Sequence, residues 1–353
     1  MPGRTKRRTP RARSEAKEAP GRGHDPAATT AANSALEYMA VAALTVGALA
    51  VLLLAPEAAA LLLLCWSPSS WWPLLLAAAW LCWDRHTPHT GGRRMWLHKL
   101  FPLWRHAQSY FPVRVVMADG ARFEAGCNYI LDLHPHPIHP VAMAVALWGG
   151  LLRRAFPAGF DFRLVTISGL FRPPVLREIV LALGGIPNSE RGLRHVLRGG
   201  AGGGQVVVLY SGGVQEALHL RADAFHVDLR GRGFYRLALL EGAAIVPALM
   251  LGENLSLRQP AALQAWLLRE LGLAVAMPMG RGLFQEHLGV LPHRQPHTLV
   301  VGAPLPVPRT DRPSRLQVEA LYQQHAAALR KLYAEFSPKY VEPDLPLEIN
   351  AFE

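Results

Sequence analysis

The most constraining feature of this chain is an almost continuous apolar block from Met39 to Trp83, in which Glu57 is the one charged residue. A helix that spans a membrane needs roughly 20 apolar residues, so the block is long enough for two passes. A Ser-Pro-Ser-Ser break at 67–70 divides it, and the second arm has Trp at both ends, as is typical of membrane interfaces. The pattern predicts a helical hairpin over residues 36–83, whose second arm either spans the membrane or re-enters it. A buried core helix is the alternative.

Basic residues flank this block on both sides. The chain has 37 Lys and Arg against 26 Asp and Glu, and eight of the basic residues lie within residues 1–35. Five more follow the block: Arg85, Arg93, Arg94, Lys99 and Arg105. Cytosolic flanks of membrane segments carry such an excess, and a hairpin places both flanks on one side. Anionic lipid headgroups therefore explain the charge better than nucleic acid, for which the sequence has no recognisable motif.

Residues 1–35 are predicted to be a disordered basic tail, because they show no apolar periodicity. An Arg-rich tail is also typical of a chloroplast transit peptide, although the three acidic residues in it count against that alternative. The sequence has too few cysteines for a disulfide framework, and no pair has the spacing of metal ligands. We therefore expect reduced thiols and a cytosol-facing body; the cysteines are Cys65, Cys82 and Cys127.

Residues 84–353 are predicted to form one α/β domain with a mostly parallel sheet. Short apolar runs rich in β-branched residues alternate with helix-like segments, which is the order typical of such sheets. The predicted strands are 128–133, 163–168, 205–210, 244–249 and 298–302. Helices are predicted at 174–183 and 233–242, and an amphipathic helix between Val318 and Phe336 should pack on the body.

A histidine-rich segment directly follows the first predicted strand, with His134, His136 and His139 interleaved with prolines. Ligands bind at strand ends in α/β sheets, and the prolines keep this segment out of a helix. In an extended chain His134 and His136 point to the same side, and imidazole suits proton abstraction from an alcohol. A structural loop and a metal site are alternatives, and Asp132 is the only acidic neighbour available to a metal.

Two other segments offer polar groups. Gly212 and Gly213 follow a predicted strand and allow close backbone approach to a ligand, while Glu216 could hydrogen-bond a substrate hydroxyl or a catalytic histidine. Arginines at a predicted helix start could hold the phosphates of a nucleotide-bearing donor, with a solvated basic face as the alternative. These arginines are Arg230, Arg232 and Arg236.

In their order along the chain these segments resemble the type-2 diacylglycerol acyltransferase family, which includes monoacylglycerol acyltransferases. The resemblance covers roughly residues 70–350 and rests on the His-Pro-His segment followed by 171–178, 212–217, 233–239 and 246–254. It implies transfer of an acyl group from acyl-CoA to diacylglycerol, making triacylglycerol at the endoplasmic reticulum membrane. Lipid droplets are a second location, and the chloroplast envelope is less favoured. Acyl-CoA is a co-substrate, and no cofactor or metal is implied.

The resemblance also implies an HPHG reactive centre, from which this sequence departs because Pro137 replaces the family's usual Gly. If the backbone N–H of that glycine stabilises the developing oxyanion in the family, this protein must use another donor, because proline has no N–H. We expect His134 or His136 to be the general base, with His134 favoured by its position directly after the strand and Glu216 orienting it. Substrate-binding residues are expected at Arg172, Arg177, Gly212, Gly213, Arg232, Arg236, Glu253 and Asn254.

Several alternatives stay open at this point. Monoacylglycerol or a long-chain alcohol could be the acceptor, because acceptor choice depends on pocket shape. An inactive relative that organises lipid droplets is a different class, with Pro137 as the mark of lost activity. A metallohydrolase that uses the three histidines is less favoured. Acyl-chain preference and oligomeric state are also open, a homo-oligomer included.

Overall fold

The computed structural model describes residues 36–42, 62, 71–96, 99, 103–137, 139–199, 204–220, 223–258, 260–271, 279–282, 289–341 and 345–350. Its strands are β1 (Val113–Met117), β2 (Tyr129–His134), β3 (Asp161–Thr166), β4 (Gly185–Pro187), β5 (Gln205–Leu209), β6 (Phe225–Val227), β7 (Ala244–Leu251), β8 (His297–Val301) and β9 (Leu347–Ile349). Its helices are α1 (Trp72–Trp83), α2 (Leu103–Tyr110), α3 (Val141–Trp148), α4 (Leu151–Ala155), α5 (Pro174–Ala182), α6 (Glu190–Gly199), α7 (Gly213–Leu218), α8 (Gly233–Glu241), α9 (Ala261–Leu271) and α10 (Arg315–Tyr340).

Seven of these strands form one sheet in the order β1-β8-β7-β2-β5-β3-β4. Every neighbouring pair is parallel except β7 and β8, which are antiparallel. Parallel neighbours need crossover connections, and the helices that provide them cover both faces of the sheet. The predicted α/β domain with a mostly parallel sheet is therefore confirmed, and the β6–β9 pair forms a separate small parallel ladder.

The central strand β2 divides the core into two layers. Leu131 and Leu133 point into one layer together with residues of α3, and Ile130 points into the other together with residues of α6 and α8. Because strand side chains alternate, Asp132 and His134 share the face of Ile130. The polar end of β2 therefore points toward the layer formed by α6, α8 and α10.

The predicted helices form close to their expected bounds. α5 and α8 correspond to the predicted segments 174–183 and 233–242, and α10 contains the predicted amphipathic segment. α10 begins at a capping box, in which Ser314 and Gln317 each accept a hydrogen bond from the other's backbone N–H. This cap fixes the start of the long helix that packs across β7 and β8.

The predicted tail at 1–35 and most of the predicted hairpin lie outside the residues that the structure describes. α1 matches the second arm, and none of its side chains is buried. No helix in the described part of the chain is both long enough and apolar enough to cross a membrane. Residues 36–42, assigned to the hairpin from the sequence, instead contact the α/β domain: Val41 lies in its core and the Tyr38 ring centroid is 5.3 Å from that of Tyr110.

Candidate active site

The histidine segment lies between β2 and α3, at the carboxyl edge of the sheet. β2 ends at His134, the His134–Pro135 peptide bond is cis, and α3 begins at Val141. The strand does not continue through His136, so the alternation rule behind the expected common orientation of the two histidines does not extend to it. Each histidine has its own surroundings.

His134 lies between two carboxylates. Its Nδ1 is 2.6 Å from Oε1 of Glu216 and its Nε2 is 3.1 Å from Oδ2 of Asp132, and all three residues are fully buried. Burial alone would lower the pKa of His134, but the charges of Glu216 and Asp132 and their hydrogen bonds outweigh burial and raise that pKa to about 10. His134 is therefore an imidazolium at neutral pH, and both of its N–H groups donate to carboxylates.

Asp132 is held by a further set of contacts. Its Oδ1 accepts from the Ser211 backbone N–H at 3.0 Å, and its Oδ2 accepts from the Ser211 hydroxyl at 2.8 Å. Nδ1 of His325 lies 3.8 Å from the same Oδ2 and 2.9 Å from the Tyr235 hydroxyl. Burial would raise the pKa of Asp132, yet the charge and hydrogen bond of His134 lower it. Asp132 therefore remains ionised beside His134.

His136 is held in one tautomer. Its backbone N–H donates to Oε2 of Glu216 at 2.6 Å, and its Nδ1 is 2.6 Å from the carbonyl oxygen of Pro137. A carbonyl oxygen only accepts hydrogen bonds, so the proton sits on Nδ1 and Nε2 keeps its lone pair. Burial lowers the pKa of His136 despite opposing contributions from Pro137 and Glu216. His136 is thus a neutral imidazole, and its ring lies 4.7 Å from that of Tyr210.

Glu216 of α7 connects three segments of the chain. Besides contacting His134 and His136, its Oε1 accepts from the Asp228 backbone N–H at 2.6 Å. The glycines before it permit this approach: a Cβ at Gly212 would lie 2.1 Å from Cδ of Glu216, and Gly213 has φ +53°. The structure therefore brings Glu216 to the histidines as expected; Gly212 packs against Glu216, whereas Gly213 supplies a left-handed backbone conformation at the start of α7.

Glu253 anchors the other end of the histidine segment. Its Oε1 accepts from the backbone N–H of Ala142, in the first turn of α3, at 3.0 Å. Burial raises the pKa of Glu253 to about 8, against a smaller lowering by that hydrogen bond. Asn254 follows it in the chain and is equally buried. Two carboxyl groups thus hold the segment, Glu216 at His136 and Glu253 at Ala142.

The four arginines expected to bind substrate are not in contact with His134 or His136 in the described part of the chain. Arg177 is buried, with NH2 2.6 Å from Oδ2 of Asp84, and it also pairs with Glu178. Arg232 contacts Glu319 and stacks 3.6 Å from the Tyr322 ring. Arg177 and Arg232 therefore have structural partners; Arg236 is exposed and lies 3.7 Å from Glu190, and Arg172 is exposed.

Comparison with known proteins assigns the family. Residues 63–350 match the family model described as diacylglycerol acyltransferase. Human 2-acylglycerol O-acyltransferase 1 is 34% identical over 280 residues, which are 75% of this chain and 81% of that protein. Bovine diacylglycerol O-acyltransferase 2 is 32% identical over 293 residues, covering 79% and 80% respectively. The chain belongs to the diacylglycerol acyltransferase family.

The resemblance inferred from the sequence is thereby confirmed at the level of the family. Human diacylglycerol O-acyltransferase 2-like protein 6 is a further relative, 34% identical over 292 residues, which are 78% of this chain and 86% of that protein. In this acyltransferase family member, the Pro137 carbonyl accepts from Nδ1 of His136. This contact uses the backbone carbonyl of residue 137, so it does not depend on the proline side chain.

Sequence reasoning missed part of this candidate site. Asp132 lies two residues before His134 on one strand, so strand alternation alone places both side chains on the same face. Ser211, His325 and Tyr235 arrive from three other elements, and no local pattern marks them. Among the described residues, no group of three or more His, Cys, Asp and Glu is arranged to hold a metal ion.

Glu253→Gln should change how stability depends on pH. In the unfolded chain this carboxyl loses its proton near its ordinary pKa of 4.5, and in the folded protein near 8. Between these values the folded state holds a proton that the unfolded state has lost, so the free energy of unfolding falls as pH rises. Glutamine stays neutral, so the variant should match wild type near pH ~4.5 and be more stable, on the order of 5 kcal/mol, above pH ~8.

The measurement is thermal melting of detergent-solubilised protein across this pH range. Glu319→Gln, at an exposed surface ion pair with Arg232, is the matched control and should follow the wild-type curve. If the melting temperature of Glu253→Gln followed that of wild type in parallel over the whole pH range, the raised pKa of Glu253 would be contradicted.

Proposed function

We propose that this protein transfers an acyl group from acyl-CoA to the free hydroxyl of diacylglycerol, with His136 as the general base. The observation that carries the proposal is the 2.6 Å contact between Nδ1 of His136 and the Pro137 carbonyl oxygen, which requires a proton on Nδ1 and leaves Nε2 to accept one. A base must be unprotonated at working pH, and burial lowers the pKa of this imidazole. Membership of the family supports the reaction class.

In the proposed reaction, Nε2 of His136 accepts the acceptor's hydroxyl proton while the hydroxyl oxygen attacks the thioester carbonyl. A C–O bond forms, and the tetrahedral intermediate then collapses with cleavage of the C–S bond. The CoA thiolate leaves and takes the proton from the His136 imidazolium, which returns to the neutral form. No covalent acyl-enzyme is needed, because the thioester is already activated.

This proposal assigns His134 a different role from the one favoured by the sequence. An imidazolium with both N–H groups bound to carboxylates has no lone pair to accept a proton. His134 instead supplies the positive charge that holds Glu216, and Glu216 in turn holds the backbone of His136. His134 and Glu216 are therefore positioning residues in this mechanism.

The proposal places the protein on the endoplasmic reticulum membrane, with lipid droplets as a second location. It is supported by α1, which presents apolar side chains to its surroundings, among them Trp72, Leu75, Leu76, Trp80 and Trp83. Exposed apolar patches of this kind mark protein or membrane contacts, and Trp is typical of the membrane interface. A diacylglycerol acceptor dissolved in the bilayer fits such an attachment.

Monoacylglycerol is the second candidate acceptor. One observation favours it: relatives named 2-acylglycerol O-acyltransferase 1 match this chain as closely as those named diacylglycerol O-acyltransferase 2. The chemistry at His136 is the same for either acceptor, so the assay must offer both.

The test measures acyl transfer by carbonate-washed membranes from a host without neutral-lipid synthesis that expresses the full chain. Labelled oleoyl-CoA is supplied with diacylglycerol, monoacylglycerol or hexadecanol, beside the same membranes carrying His136→Gln. Triacylglycerol made from diacylglycerol and lost in the variant is the expected result. Folded, membrane-bound protein that yields no product from any acceptor would overturn the proposal and favour an inactive lipid-droplet relative.

A further inference from the structure

A stripe of positive charge on α6 takes no part in the mechanism above. Arg191, Arg194 and Arg198 are three and four residues apart, so they lie on one face of the helix. Together with His195 they line a groove of about 600 Å³, whose opposite side is the 3₁₀-helix Thr87–Thr90. The sequence analysis assigned no function to this stripe.

The arginines of the groove are fixed by one buried carboxylate. Glu241 of α8 lies 2.7 Å from Nε of Arg194 and 2.8 Å from Nε of Arg198, and its own side chain is only 2% exposed. One carboxylate therefore orients two guanidinium groups and neutralises one of them. Guanidinium groups held in this way lose less entropy when they bind an anion.

The remaining charges near the groove leave it positive. Arg191 is exposed and forms no ion pair with any residue that the structure describes. Glu190 lies 3.3 Å from Arg194 and 3.7 Å from Arg236 of α8. The two carboxylates, Glu190 and Glu241, thus face four guanidinium groups, and an anion with at least two negative charges would balance the set.

The backbone around the groove is fixed as well. The Ser189 hydroxyl accepts from the Gly192 N–H at 3.2 Å, which caps the start of α6, and it also lies 3.2 Å from Nδ1 of His89. Gly91 has φ +89°, and a Cβ there would lie 3.1 Å from Cδ2 of His195. The two walls are therefore packed against each other, which a mobile basic surface would not require.

The groove lies on the same sheet face as His134 and runs from the carboxyl edge at Glu190 toward the amino edge, where Nδ2 of Asn128 donates to the Leu197 carbonyl next to Arg198. α6 follows directly after β4, whose carboxyl end lies at the edge where β2 ends, and three strand spacings separate β4 from β2. That separation is about 14 Å across the strands, and Arg198, seven residues along α6 from Arg191, lies about 10 Å farther from the carboxyl edge. α6 also packs on the sheet face of Ile130, which Asp132 and His134 share. An extended pantetheine arm spans such a distance.

We infer that the α6 groove binds the phosphates at the adenosine end of acyl-CoA, an inference that rests on the proposed function for the donor. The nucleoside end carries a 3′-phosphate and a 5′-diphosphate, and arginine forks match phosphate oxygens in pairs. The pantetheine arm then runs along the carboxyl edge of the sheet and brings the thioester to His136. An anionic lipid headgroup shares the phosphate chemistry but carries no adenosine.

The test is equilibrium binding of adenosine 3′,5′-bisphosphate to full-length protein in detergent micelles, measured by calorimetry. Arg191→Ala/Arg198→Ala should weaken binding about tenfold or more, because it removes two of the guanidinium groups that hydrogen-bond the phosphates. The double variant leaves Arg194 paired with Glu241. Arg312→Ala/Arg330→Ala removes two exposed arginines elsewhere and the same net charge, so it should bind like wild type.

Kinetics provide a second measurement. The groove variant should raise the KM for oleoyl-CoA while kcat and the KM for the acceptor stay near wild type. An oleoyl thioester of dephospho-CoA, which lacks the 3′-phosphate, should show a smaller difference between the two proteins. Melting curves that match wild type are needed for the groove variant to count as folded.

The outcomes separate this inference from the proposed function. Loss of bisphosphate binding in the groove variant supports the inference even if no acceptor is acylated. The inference is overturned if the groove variant still transfers acyl groups and binds the bisphosphate with wild-type affinity. Unchanged bisphosphate binding together with weaker binding to phosphatidylserine vesicles also overturns it, and identifies the groove as a headgroup site.

Discussion

His136→Gln should reduce acyl transfer by roughly 100- to 10,000-fold, the range expected when a general base is lost. Its folding should change little, because the side chain is only partly buried and the lost hydrogen bond to Pro137 contributes about 1 kcal/mol. Initial rates with oleoyl-CoA and diacylglycerol, measured beside melting curves, test both parts.

His134→Gln is the matched comparison. It removes the cation between Asp132 and Glu216 and leaves two buried carboxylates without their shared partner. Breaking a buried pair in this way costs about 3–5 kcal/mol, so stability should fall together with activity. A stable but inactive His134→Gln beside an active His136→Gln would reverse the assignment and make His134 the base.

Glu216→Ala should destabilise the protein by about 3–5 kcal/mol and abolish acyl transfer. The substitution leaves the N–H groups of His134, His136 and Asp228 without their acceptor, in a region that water does not reach. Unsatisfied buried donors each carry a desolvation penalty, and here one of them is charged. Melting temperature and acyl transfer are the readouts.

Glu319→Ala is the control, because it removes a carboxylate from an exposed pair with Arg232, where about 1 kcal/mol or less is expected. Glu216→Gln keeps the size of the side chain but pairs an amide with three donors, so it should rescue stability only in part. Equal melting temperatures for Glu216→Ala and Glu319→Ala would disprove the role of Glu216 as an anchor.

Much of the fold could be read from the sequence because parallel strands buried on both faces appear as short apolar runs. The position of the histidine segment followed from the end of β2, and Glu216 from its polar character after β5. The arginines were harder to place. Arg177 is basic in the sequence, but its acidic partners Asp84 and Glu178 neutralise it in the fold.

The role of each histidine depends on contacts that no local pattern contains. The predicted common orientation of His134 and His136 assumed that the strand continues through His136, whereas β2 ends at His134. His325 of α10 reaches Asp132, and Tyr235 of α8 reaches His325, so both contacts form only when these helices pack on the sheet. The groove on α6 likewise depends on Glu241, which comes from a different helix.

The last strand of the chain has a consequence for synthesis. β9 pairs with β6, and the Asn350 N–H donates to the Val227 carbonyl at 2.8 Å, one residue before the N–H that binds Glu216. The histidine segment is thus linked, through Glu216 and β6, to residues 345–350. Because synthesis starts at the amino terminus, Glu216 and β6 are made well before residues 345–350, so the Val227 carbonyl gains this partner only after all of α10 has been synthesised.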